Sequence, residues 1–124
     1  MRKLKDKTKK GKKIEKEFAL KIKTIFPSAE TELKPRIINL KKDFWGVFDG
    51  LTFIKSKRKY IFWQIKSKKI SKSEFNSFWK QAKIFENQLI KVLLIENYNG
   101  NLKIFSNNKP ESYFNSLREL KKII

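Results

Sequence analysis

The chain has 124 residues, with 31 Lys and Arg against 12 Asp and Glu, a formal net charge of +19, and neither Cys nor His. Those two absences exclude disulfides, zinc fingers, iron–sulfur sites, thiol nucleophiles and every mechanism built on a catalytic imidazole. The length allows a single hydrophobic core, and 11 Phe, 3 Trp and 3 Tyr are enough to fill it, so the charge is not a sign of disorder. A field this positive attracts polyanions: nucleic acid first, anionic membrane second. Any catalysis must run on Asp, Glu, Lys, Tyr or a bound metal, and oxygen ligands alone favour Mg²⁺ or Mn²⁺ over zinc. No apolar run approaches the roughly 18 residues that span a bilayer. The charged N-terminus is not followed by an apolar core, so no signal peptide is expected and the default compartment is intracellular, cytoplasm or nucleoid.

Residues 1–10 read as a flexible basic arm, and residues 11–124 as a single domain. After Gly11, apolar residues at Ile14, Phe18, Ile22, Ile25 and Phe26 have helical spacing, with Pro27 as the stop. Glu15 lies beside that stripe, while Glu17 points further away. Residues 31–40 suggest an edge strand interrupted by Pro35. Residues 45–54 read as a second strand, with Val47, Asp49, Leu51 and Phe53 on one face. A basic turn, residues 55–59, leads to a third strand, residues 60–66. Phe62, Gln64 and Lys66 share one of its faces, and Ile61, Trp63 and Ile65 the other, so this strand should be central. Ser71 and Glu74 form a capping-box signature before an amphipathic helix through Phe75, Phe78, Trp79, Ala82 and Phe85. Residues 89–95 read as a buried strand, Asn99-Gly100 as a hairpin turn, residues 102–105 as a further strand, and Pro110 as the start of a last helix. The predicted order is α-β-β-β-α-β-β-α, an α/β fold.

Acidic residues are scarce in this chain, and the chemistry concentrates where two of them stand together. Two of the three Asp residues stand in Asp43-Phe44-Trp45-Gly46-Val47-Phe48-Asp49-Gly50, and a carboxylate among apolar side chains needs a compensating partner. A divalent metal and a neighbouring lysine are the obvious ones. In such a site Asp49 is a hard anionic ligand, Gln64 a neutral oxygen ligand, and the Ile65 carbonyl a further donor. Lys66, on the same strand face as Gln64, orients the attacking water and offsets developing charge, and Glu15 completes the metal shell from the first helix. Each residue alone has a plainer reading: Asp49-Gly50 as a turn, Gln64 and Lys66 as ordinary strand residues, Glu15 as a surface carboxylate.

At Glu15, Asp49 and Gln64-Ile65-Lys66 the chain resembles the PD-(D/E)XK nuclease superfamily, and within it the archaeal Holliday junction resolvase-like group. The match runs from about Gly11 to Ile95. It implies a restriction-endonuclease-like mixed β-sheet flanked by helices, and a Mg²⁺-dependent (or Mn²⁺-dependent) endonuclease that hydrolyses phosphodiester bonds of branched or duplex DNA as a homodimer, in DNA recombination. It implies Glu15, Asp49, Gln64 and Lys66 as the catalytic set, and Glu15, Asp49, Gln64 and Ile65 as the metal ligands. Gln64 departs from the usual acidic residue of the motif and surrenders one negative charge. Asp43 is an auxiliary candidate, and Lys80 and Gln81 stand where the superfamily often places a further polar or basic residue. The expected DNA contacts are Lys9, Lys10, Lys12, Lys13, Lys55, Lys57, Arg58, Lys68 and Lys69. Two alternatives stay open: a nuclease-fold DNA-binding module without catalysis, and a basic RNA-binding protein. Trp45, Trp63 and Trp79 are expected in the core.

Overall fold

Helix α1 spans Arg2–Ile25 in the computed structural model, which describes the backbone of residues 2–34, 36, 37, 40, 41 and 44–124 and the side chains of residues 13–34 and 44–124. The helix therefore takes in the stretch expected as an arm. Its Lys-rich start contains good helix formers, and Gly11 alone costs only about 1 kcal/mol, too little to break it. Phe18 and Ile22, together with Phe26 just past its end, are buried against one face of the sheet.

Strands β1 (Ala29–Leu33), β4 (Gly50–Ile54), β5 (Lys59–Lys66), β6 (Ile90–Tyr98), β7 (Asn101–Phe105) and β8 (Tyr113–Phe114) form a six-stranded mixed sheet in that order. A separate two-stranded ribbon pairs β2 (Arg36–Ile37) with β3 (Leu40–Lys41). All neighbours in the main sheet are antiparallel except β5 and β6, which run parallel from Tyr60↔Ile90 to Lys66↔Glu96. Helix α2 (Lys72–Ala82) makes that parallel connection, and its start carries the full capping box between Ser71 and Glu74. Strand β5 is interior, as its two apolar faces require. Ile61, Trp63 and Ile65 join the α1 side, whereas Phe62 joins Phe75, Phe78, Trp79 and Ala82 on the α2 side. The fold is thus mixed α/β with helices on both faces. Among the described residues no helix is long and apolar enough to cross a membrane.

Three further sequence expectations are corrected. The single strand over residues 31–40 is instead β1 followed by the β2–β3 ribbon, though β1 is an edge strand as foreseen. The strand over residues 45–54 begins only at Gly50, because Trp45 (φ 55°) and Gly46 (φ 71°) both adopt left-handed backbone and fold residues 44–48 into a tight hairpin. The final helix is not opened by Pro110: Tyr113–Phe114 adds an edge strand to β7, and a 3₁₀ helix, Leu117–Lys122, follows. Leu117 and Leu120 are still buried, since a three-residue spacing serves a three-residue turn as well as an α-helix. The hairpin at Asn99-Gly100 forms as expected, with both residues at positive φ.

Candidate functional site

Asp49 sits where β4 parts from its neighbours, and its four polar groups are all engaged. Its N–H donates to the Trp63 carbonyl (2.8 Å), and its carbonyl accepts from the Lys34 N–H (3.0 Å). Its carboxylate accepts from the Ile65 N–H through Oδ2 (2.9 Å) and from the Lys34 ammonium through Oδ1 (2.5 Å). The side chain thus extends the ladder to β5 by one bond beyond the last regular pair. Gly50 makes this possible: a Cβ there would lie 2.2 Å from the indole of the fully buried Trp63.

Glu15 reaches the same place from α1, with Oε2 3.6 Å from the Lys34 Nζ. Glu15 and Asp49 are both only 4% exposed. Two buried carboxylates thus converge on one cationic group, and the desolvation each suffers is offset by the charge they share. Lys34, at the end of β1, went unnoticed in the sequence because nothing distinguishes it from the chain's many other lysines. Among the described residues no third carboxylate joins the pair.

Gln64 and Lys66 face the other way, toward α2. The Gln64 side-chain N–H donates to the Val47 carbonyl at 2.8 Å. The Lys66 ammonium lies 3.9 Å from Glu74, which also pairs with Lys68 at 3.3 Å. These residues line a cleft of about 310 Å³ whose other walls are Gly46, Val47, Ser73, Ser77, Phe78 and Gln81. Its lining is mainly polar side chains and backbone. The carboxyl of Glu74 is held below its ordinary value, first by the Ser71 backbone N–H, then by the Ser71 hydroxyl and by Lys68. The expected four-residue convergence therefore resolves into two parts, Glu15–Lys34–Asp49 and Gln64–Lys66. They flank one short piece of β5, with the Ile65 N–H tying Asp49 between the two cleft residues. Of the Ile65 donor expected for a metal, the contact seen is this N–H, while the residue itself sits in the ladder opposite Ile95.

The remaining expected residues spread widely. Lys13, Lys55, Lys57, Arg58, Lys68 and Lys69 are exposed. Lys55 pairs with Glu30 at 2.6 Å, and Lys69 stands 5.8 Å from the centre of the Tyr98 ring. Gln81 lines the cleft, and Lys80 is exposed beside it on α2. Asp43 and the side chains of Lys9, Lys10 and Lys12 lie outside the described residues.

Trp63 and Trp79 are buried as expected, but Trp45 is 61% exposed. In the fold Trp45-Gly46 takes the place that an Asn-Gly pair fills in a tight hairpin loop, with both residues at positive φ. Its ring stacks on Phe62 (5.7 Å between centres, 28° between planes) and lies 5.2 Å from Phe85. Compared with known protein families, with characterised proteins and with solved structures, the chain matches none.

Proposed function

We propose that the chain is a metal-dependent DNA endonuclease of restriction-endonuclease-like fold, acting on branched or duplex DNA. The observation that carries this reading is a pair of buried carboxylates, Glu15 and Asp49, gathered around one cation at the end of the strand that bears Gln64 and Lys66. The element order supports it: a helix, three antiparallel strands β1, β4 and β5, helix α2, and β6 parallel to β5, with the β2–β3 ribbon as an insertion.

The donor set suits a hard divalent ion, because two carboxylate groups already meet at a point of positive charge. Glu15 and Asp49 would hold such an ion in competition with the Lys34 ammonium. When bound, Mg²⁺ or Mn²⁺ supplies charge neutralisation on the phosphate and a more acidic water. Lys66, half-buried and loosely paired with Glu74, offers its ammonium to a phosphate oxygen in the cleft. Gln64 is oriented by its donation to Val47, leaving its carbonyl oxygen as a neutral acceptor. The surplus of lysine over arginine favours phosphate attraction over bidentate base reading, and hence selection by DNA shape. Pairing of two copies, one for each strand, belongs to the same reading.

A second reading has a specific observation behind it. Lys34 already supplies the cation between Glu15 and Asp49, and Gln64 lacks the charge of an acidic ligand, which together suit a DNA-binding module that no longer cuts. Incubating labelled junction, flap and duplex DNA with the purified protein, with and without Mg²⁺ or Mn²⁺, separates the two. Metal-dependent cleavage that Lys66→Ala abolishes while binding persists supports the endonuclease. Salt-sensitive binding with no cleavage in either metal supports the module.

A further inference from the structure

Trp45 is a large aromatic placed on the surface at a conformational cost. A non-glycine residue in the left-handed region costs about 1–2 kcal/mol, and here the residue is a bulky one at φ 55°. Core packing does not account for it, since most of the residue remains in solvent. One side of the ring is backed by Phe62 and Phe85, while most of the residue stays exposed. Gly46, the next residue, begins the wall of the cleft that contains Gln64 and Lys66.

We infer that Trp45 is a stacking platform for an unpaired base of single-stranded DNA, whose phosphates run into the cleft toward Lys66 and Lys68. An exposed indole beside a cleft that holds Lys66, with Lys68 paired to the cleft's Glu74, suits recognition of single strands, because every base offers a π-face and every nucleotide a phosphate. The net charge of +19 favours a polyanion as the occupant of this surface. Tyr60 extends the aromatic surface, 6.2 Å from Phe62 and 41% exposed, and the basic turn 55–58 precedes it. The inference rests on DNA being the ligand, as proposed above, and is independent of hydrolysis. At a branch point or a frayed end, such a platform holds open the strand that leaves the duplex.

The test uses the full chain without divalent metal, so that binding is read apart from cleavage. The probes are an oligothymidylate of roughly twelve nucleotides, long enough to cover a groove of this kind, the same length of blunt duplex, and an oligouridylate. Trp63 and Trp79 are buried, so quenching of tryptophan emission reports Trp45. Oligothymidylate should quench the emission. Trp45→Asn, a residue type suited to positive φ, should weaken oligothymidylate binding about tenfold or more. The salt slope should not change, since no phosphate contact is removed. Duplex affinity should not change either, and Trp45→Phe should restore most of the loss.

Absence of quenching, an equal loss on duplex, or a larger Trp45 effect on oligouridylate would overturn the inference. So would self-association in the ultracentrifuge that Trp45→Asn removes, which would assign the surface to a second copy. Failure of the wild type to bind any DNA removes the functional reading itself, whereas firm duplex binding with a silent Trp45→Asn removes only this inference. A protein that never cuts but binds single strands through Trp45 leaves the inference standing and the hydrolase reading fallen.

Discussion

The two sides of β5 treat charge in opposite ways. On the α1 side, Glu15, Lys34 and Asp49 form a buried knot in which both Asp49 carboxylate oxygens have donors. On the α2 side, Lys66 and Gln64 line an open cleft, and the Lys66 ion pair is long and half-exposed. The knot keeps the end of the sheet closed, and the cleft presents groups that are free to change partners. Buried charge holds a structure when it is fully partnered and costs heavily when one partner goes. Exposed charge costs little to remove and is therefore available for binding.

The largest expected effect strikes the strand pair from which both sides hang. Gly50→Ala drives a methyl into the buried Trp63 ring and should destabilise the fold by about 3 kcal/mol or more, read by chemical denaturation. Wild-type stability in that variant would mean the indole can yield, and the knot and the cleft would then be less rigidly linked. Next comes Lys34→Met, which removes the ammonium that the two carboxylates share. A loss of about 2–4 kcal/mol is expected, at or below the range for a buried pair because Lys34 is partly exposed. Adding Mg²⁺ or Mn²⁺ should recover part of it as a rise in Tm; no recovery would show that Glu15 and Asp49 do not hold a metal.

On the cleft side the same measurements should hardly move. Lys66→Ala should change stability by no more than about 0.5 kcal/mol, while cleavage of junction DNA falls about 100-fold or more. A large loss of stability would place Lys66 in the structural half. The smallest effect is a pH dependence at the start of α2. Glu74 titrates below its ordinary value of 4.5 in the folded chain, so its contribution is present above that pH and is lost as pH falls through the lowered value. Glu74→Gln keeps a capping side chain but not the charge. The variant should be slightly less stable than wild type at pH 7, and the gap should shrink as pH falls below 4.5 and close once it has passed the lowered folded-state value.

Much of the framework could be read from residue order. The alternation of Ile61, Phe62, Trp63 and Ile65 placed β5 in the interior, and Ser71 with Glu74 marked the start of α2, because strand periodicity and capping are local properties. The Asn99-Gly100 turn was equally plain. Three regions were not. Trp45-Gly46 reads as strand on hydrophobicity but folds as a turn, since positive φ at both residues outweighs β-propensity. Leu117 and Leu120 suit two helix types, and only the pairing of Phe114 with Ile104 decides where the last segment starts. Asp49 is legible as a site residue, but its strand starts only at Gly50, so Asp49 precedes the regular ladder and its carboxylate meets Lys34 and the Ile65 N–H.

Residue types and their spacing were therefore enough to settle the net charge, the absence of imidazole and thiol chemistry, and which faces of β5 are apolar. Those follow from composition and from neighbours close along the chain. Which lysine meets Glu15 and Asp49, and which tryptophan stands in solvent, was decided only by folding. Lys34 lies 15 residues from Asp49, and Trp45 meets Phe85 from a distant segment. No local pattern singles out one lysine among so many, because that choice belongs to the way β1, β4 and α1 come together in space.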